Sequence, residues 1–397
     1  MKPKTSAVIA GLLAFSAAVP ACAAESTAVT FRPQTIDAKI QIGYGLATAD
    51  VDGDGKTDIL LADAKEIVWY RNPGWEKFAM ARGLTPKDNV CIAARDIDGD
   101  GKAEVAVGAE WNPGDTIGSG AVFYLDRPKD PTQLWRPIRL QHEPTTHRMH
   151  WIKDGAKDWL LAVLPLHGRG NQGGQGAGIQ FLGYRKPRNI DGVWPIVSLN
   201  SQFHLAHNFD LETTSEPSPE TLLMATKEGV QALSKAGDRW TNRAITQAPA
   251  GEVRVGRTPS GTHYLTTIEP MHGNQLAVYP RDVAATTANS ARVSLDDKLI
   301  EGHALATGDL LGLGYDQIVV GWRGTGSRPG HKVGIKLFSA SDSAGKTWSL
   351  HSLIDDNQMA CEDLKLADLN GDGRIDVIAA GRSTKNVVIY WNETSAR

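Results

Sequence analysis

The sequence predicts an all-β chain: a seven-bladed β-propeller of four-stranded blades, closed by an N-terminal strand. Three observations predict it. A strand–loop–strand unit with an Asp/Gly-rich loop recurs as DVDGDGKTD (50–58), DIDGDGKAE (96–104) and DLNGDGRID (368–376). Around these copies, short apolar runs of strand length return at regular spacing between Gly-, Asn- and Pro-rich turns, the mark of a repeat architecture. The last unit lacks an outer strand, and the N-terminal TFRPQTID (30–37) resembles the outer strand WSLHSLID (348–355). The N-terminus is therefore expected to complete the last blade, which closes the ring and removes its open edges.

Each unit reads as inner strand A, loop, strand B, turn, strand C and outer strand D. Blade 1 has GLATADV, DILLAD, EIVWYRN and a D strand near Trp75. Blade 2 has CIAARDI, EVAVGAE, GAVFYLD and a D strand opening at Trp135. Blade 3 has HRMHWI, DWLLAVLPLH, AGIQFLGY and Trp194; blade 4 has HNFDLE, TLLMAT, GVQALSK and Trp240. Blade 5 has EVRVGR, HYLTTIEP, NQLAVYP and ARVSLDD. Blade 6 has HALATGDL, QIVVGW, VGIKLFS and Trp348; blade 7 has EDLKLADL, DVIAAG and NVVIYWN.

The recurring loop carries oxygen side chains at positions 1, 3, 5 and 9 and glycine at position 6. Alternate positions of a tight loop converge, a hard cation takes oxygen ligands, and the glycine permits the turn. The expected ligands of a structural Ca2+ are Asp50, Asp52, Asp54 and Asp58; Asp96, Asp98, Asp100 and Glu104; and Asp368, Asn370, Asp372 and Asp376. The position 7 carbonyls of Lys56, Lys102 and Arg374 would add one ligand each. Asp-Gly is also ordinary turn chemistry, but recurrence at matching positions favours the cation. Blade 6 keeps only Asp309 of this pattern, with Leu311 and Leu313 in place of carboxylates, and blades 3 to 5 lack it.

Composition narrows the class. The chain has 397 residues and a net charge of −3, with no basic footprint for nucleic acid or a membrane surface. Residues 1–24 read as a signal peptide: Lys2 and Lys4, an apolar run from Ala7 to Val19, then small residues, with cleavage expected after Ala23 or Ala24. Lipid anchoring through Cys22 is disfavoured by Pro20 two residues earlier. No later stretch is long and apolar enough for a transmembrane segment. Cys91 and Cys361 do not make a disulfide framework. Residues 25–397 are expected to form one propeller, exported to the periplasm or secreted, of oligomeric state that the sequence leaves open.

On the face away from the Asp/Gly loops, A strands begin and B strands end. Tyr44, His147, His207, Arg254, His303 and Glu362 fall at or near A-strand starts. Asp63, Glu110, His167, Lys227, His272, Arg323 and Arg382 fall at B-strand ends. Ionisable groups from every blade thus converge on one mouth, the default place for a site. Trp111 and Trp322 lie on the same face, as sugar-stacking platforms or as packing between blades.

The DxDGDGxxD units resemble the FG-GAP/VCBS repeat family across the mature chain. That resemblance implies the propeller but no single function, since integrin-type modules, adhesins, lectins and lyases share it. A narrower resemblance rests on HEPTTHRMHW (142–151), PLHGRGNQGG (165–174), HNFD (207–210) and EGHALATGD (301–309). These are similar to the propeller domain of aldos-2-ulose dehydratases, which eliminate water from ketosugars such as glucosone or anhydrofructose. Those enzymes add a cupin-like domain for a later isomerisation, for which this chain has no room. Dehydration is the implied activity and isomerisation is not.

Elimination beside a carbonyl needs a base, an electrophile for the enolate and an acid for the leaving hydroxyl. Histidine suits the proton transfers, and Arg323, Arg254 or a divalent metal suits the enolate. His147, His207 and His303 are the expected inner group, either a metal triad, zinc by imidazole preference, or an acid/base set. His167 and His272 follow, for proton transfer or hydroxyl contacts, with Tyr44 as a weaker acid. Two rival readings stand beside the sugar dehydratase. One is a non-catalytic carbohydrate- or protein-binding propeller of integrin or adhesin type. The other is a polysaccharide lyase acting on uronates.

Overall fold

The computed structural model describes residues 29–212, 219–280, 291–326 and 330–394. The expected signal peptide and Cys22 lie outside them. The described residues form seven antiparallel sheets of four strands each, and no helix among them is long and apolar enough to cross a membrane. Six sheets run in chain order from inner to outer strand, joined by short turns. The seventh runs Phe31–Asp37, Val387–Asn392, Asp376–Gly381 and Cys361–Ala367, so the N-terminal strand is its outer strand. Phe31 pairs with Asn392 and Gln34 with Ile389 in that antiparallel ladder.

Middle strands such as Trp159–Pro165 and Val387–Asn392 are near-continuous apolar runs because both faces of a blade are covered by its neighbours. Seven apolar clusters result, one in each gap between blades. Between blades 1 and 2, Leu60 and Trp69 meet Val107, Phe123 and Trp135. Trp322, a candidate platform, belongs to such a gap instead. It is 7% exposed, packs with Tyr264 and Phe338, and donates its indole N–H to the Lys332 carbonyl. Cys91 and Cys361 are both buried free thiols.

The Asp/Gly loops join strands A and B, and their carboxylates divide the work. Asp50 accepts the N–H groups of Gly53 and Gly55, each at 2.7 Å, which holds the turn. At position 9, buried Asp58 accepts the N–H of Val51 at 2.9 Å and of Asn72 at 2.8 Å. Asp376 does the same for Leu369 and Asn392. Glu104 takes the Ile97 N–H and the Lys186 ammonium. Asn72 and Asn392 then cross to the preceding blade, donating to the carbonyls of Leu369 and Leu310. Oxygens of Asp50, Asp52 and Asp58 lie within 4.8 Å of one another, as do those of Asp96, Asp98 and Glu104. The position 5 residues do not join them: Asp54 turns to Lys56 and Asp100 to Arg127. Burial is the largest influence on Asp58 and raises its carboxyl to about 7, and Glu104 and Asp376 are raised for the same reason.

Candidate functional site

Four inner strands carry a bulge, and each bulge falls on an ionisable residue. The A–B register slips between Thr146 and Arg148, Ala206 and Asn208, Gly302 and Ala304, and Cys361 and Asp363. The residues left unpaired are His147, His207, His303 and Glu362. The inner strands of blades 1, 2 and 5 pair without a slip. A bulge adds one residue, bends the strand and re-aims the side chain. Here it turns these four buried groups into the mouth of the channel, with exposures of 1 to 4%.

Backbone carbonyls fix the histidine tautomers. His147 Nδ1 lies 2.7 Å from the His207 carbonyl, His207 Nδ1 3.0 Å from the Gly251 carbonyl and His303 Nδ1 2.5 Å from the Glu362 carbonyl. A carbonyl can only accept, so each Nδ1 bears the proton and each Nε2 presents a lone pair. His272 completes the group from the B-strand end of blade 5, held at a left-handed φ of 52°. Its Nε2 lies 2.9 Å from His207 Nε2. Ring nitrogens of His207, His272 and His303 all fall within 4.8 Å of one another. Three imidazole nitrogens, two from bulged inner strands with the opposite ring nitrogen anchored and one from the turn after a B strand, could hold a divalent metal.

Charge supports the same reading. Burial, first, and then the positive neighbours Arg148 or Arg323 hold His147 and His303 well below the usual imidazole range. His272 is held down to about 2 by burial and then by its histidine neighbour. His207 is also lowered by burial, although Glu252 at 3.1 Å from its Nδ1 opposes the shift. These rings are neutral at neutral pH. Such rings can act as ligands or accept a proton, and they are poor proton donors.

The expected inner group is therefore redistributed. The ring nitrogens that group are those of His207, His272 and His303, while the His147 ring lies beside that of His207 with centroids 4.6 Å apart. His147 stacks on Trp111, with centroids 4.9 Å apart and planes 28° apart, and its Nε2 receives the Arg148 guanidinium at 3.2 Å. His167 is not brought into the trio. Its backbone exchanges hydrogen bonds with Thr145, and its Nδ1 is buried without a partner among the described residues. Arg254 lies deeper, paired with Glu252 at 3.4 Å and Asp210 at 3.8 Å in a small channel cavity.

Beside the histidines lies a charged chain from blades 1, 6 and 7. The Glu362 carboxylate takes Arg323 at 2.6 Å and Arg382 at 2.9 Å, and Arg323 also reaches Glu301 at 3.1 Å. Arg382 lies over the Tyr44 ring at 5.4 Å, and the Tyr44 hydroxyl donates to Asp88 at 3.3 Å. Burial foremost pushes the Tyr44 phenol up to about 12. Sequence reasoning noted Glu362 at the rim but gave no role to Glu252, Arg148 or Glu301. The signal for Arg148 was the basic residue after the first histidine of HRMHW; Glu252 and Glu301 carried none apart from the strand boundary.

The FG-GAP-like repeat family matches residues 50–107, the loop of blade 1 through the B strand of blade 2. The chain is a seven-bladed β-propeller, and its FG-GAP-like match is confined to that stretch. No curated protein matches it. Among solved structures, a chain described as "Crystal Structure of Mitotic Checkpoint Complex" superposes with a TM-score of 0.57 at 14% identity, covering 97% of this chain and 100% of that one. A chain from "Crystal structure of BBS1N in complex with ARL6DN, soaked with mercury" gives 0.55 at 12% identity, covering 94% and 99%. Likeness at this identity concerns the fold alone.

Proposed function

We propose that this propeller is a divalent-metal-dependent carbon–oxygen lyase that eliminates water from a ketosugar at its central mouth. The observation that carries the reading is the convergence of His207, His272 and His303, neutral and anchored. Zinc is the metal such imidazole ligands favour. When bound, it would supply Lewis-acid polarisation of the substrate carbonyl. The similarity of HEPTTHRMHW, PLHGRGNQGG, HNFD and EGHALATGD to aldos-2-ulose dehydratases supports the substrate class.

The chain's own residues fill the remaining roles. Glu252 and the Gly251 carbonyl orient His207; the His207 carbonyl orients His147. Glu362 holds Arg323 and Arg382 at the rim, where they meet substrate hydroxyls. His167, whose buried Nδ1 has no partner among the described residues, is the base this reading assigns to the proton alpha to the carbonyl. That C–H pair becomes the new C=C bond, and the C–O bond to the beta hydroxyl breaks. Tyr44, protonated through neutral pH, gives the proton with which the hydroxyl leaves as water.

Incubation with glucosone, 1,5-anhydrofructose and 3-keto-glucosides, with and without zinc, tests this by ultraviolet absorbance of the conjugated enone. A signal that needs metal and vanishes in His303→Ala is expected. Silence on every ketosugar, with glycan bound at the mouth, makes the protein a binding propeller. A uronate lyase has one observation in its favour: Arg148 has no carboxylate partner among the described residues and could neutralise a uronate. Signal on uronate polymers alone would replace the ketosugar with that substrate. We also propose that the Asp/Gly loops bind structural Ca2+ and that residues 1–24 direct export.

A further inference from the structure

A second cavity opens on the opposite face, at the seam between blade 7 and blade 1. It encloses about 460 Å3, within the range of roughly 300–1,000 Å3 typical of small-molecule sites. Two tryptophans line it. Trp391, on the C strand of blade 7, and Trp75, in the C–D turn of blade 1, have ring centroids 6.2 Å apart at 50°.

Trp75 departs from the repeat it belongs to. In blades 2, 3 and 6 the tryptophan that opens the D strand turns inward onto its own loop. Trp135, Trp194 and Trp348 donate their indole N–H to the carbonyls of Pro131, Ile190 and Gly345. Trp75 instead sits at φ 59°, a conformation unfavourable for so large a side chain. It is half-buried, and its indole N–H makes no hydrogen bond among the described residues. Backbone strain held at a cavity wall points toward function.

The polar rim suits one ligand chemistry. Gln34 accepts the Trp391 indole N–H at 2.7 Å through Oε1, which leaves its amide NH2 to donate into the cavity. Lys56 adds an ammonium whose charge Asp54 offsets at 3.2 Å. Asp368 also lines the cavity and disfavours an anion. The half-buried Trp75 indole offers a flat face to the C–H face of a pyranose, with Trp391 buried behind it in the seam cluster, and neutral-balanced donors take the hydroxyls.

We propose that this seam cavity binds a neutral sugar residue as an ancillary glycan site, separate from the histidine mouth and independent of any chemistry there. The full mature protein is titrated calorimetrically with methyl glycosides of glucose, galactose, xylose and N-acetylglucosamine and with their β-linked trisaccharides. Wild type, Trp75→Ala, Trp75→Gly, Gln34→Ala and His303→Ala are compared. Trp75→Gly keeps the left-handed turn if Trp75→Ala folds poorly. Saturable binding to at least one sugar is expected, weakened at least about tenfold in both Trp75 variants, as for loss of an aromatic anchor. Gln34→Ala should weaken it less, and His303→Ala should leave it unchanged. The proposal is overturned if no sugar saturates, if binding survives Trp75→Gly, or if only His303→Ala removes it.

Discussion

The two faces of this disc both gather potential ligands, by opposite means. The loop face repeats one nine-residue turn with exposed carboxylates at its crest. The mouth breaks the repeat, with a bulge in four inner strands and His272 and Glu301 at positive φ. Regularity produces hard oxygen donors near water; irregularity produces buried, neutral nitrogen donors held by carbonyls. The difference teaches that a repeat protein can build stability with its period and chemistry with its departures from it.

The comparison can be broken most sharply at the mouth. His207→Ala or His303→Ala is expected to lower kcat/KM for elimination by well over about a hundredfold, since loss of a metal ligand exceeds the roughly 10–100-fold of an outer-shell change. Bound zinc, measured by mass spectrometry, should fall with it. Retention of both activity and metal would remove the metal centre. Glu252→Gln should weaken metal affinity by about 10–100-fold, read by chelator competition, with the fold intact.

On the loop face, the expected effects are smaller and structural. Asp58→Ala strands the buried N–H groups of Val51 and Asn72, a cost of about 1–3 kcal/mol each that persists in chelator and grows in Ca2+, for which Asp58 is an expected ligand. Asp50→Ala should lower the melting temperature of the protein in Ca2+. If Ca2+ and chelator give wild type the same Tm, the structural-cation reading of these loops is lost. Asp54→Ala should change stability by less than about 1 kcal/mol, because Asp54 pairs only with exposed Lys56.

These contrasts explain what could be read from the chain beforehand. The blades were legible because strand period, turn chemistry and the Asp/Gly loop agree at each repeat, and TFRPQTID matched a D strand. His207, His272 and His303 were legible as rim positions but not as a trio. Their meeting depends on bulges at His207 and His303, which no residue pattern announces. His147 looked equivalent to His207 because both follow the same strand start. What separates them is the stacking of Trp111 and the guanidinium of Arg148, both set by packing. Trp322 looked like a platform because it ends a B strand, yet the neighbouring blade covers it.

The closing ladder has a mechanical consequence. Phe31 lies opposite Asn392, so both ends of the described chain leave from the same end of one antiparallel pair. Force applied to the two termini would peel the bonds between Phe31–Asp37 and Val387–Asn392 one after another rather than shear them together. The ring should therefore yield like a zipper under tension, at low force, while resisting heat as a cooperative whole. Tethering a chain of this kind by only one terminus would keep that seam unloaded.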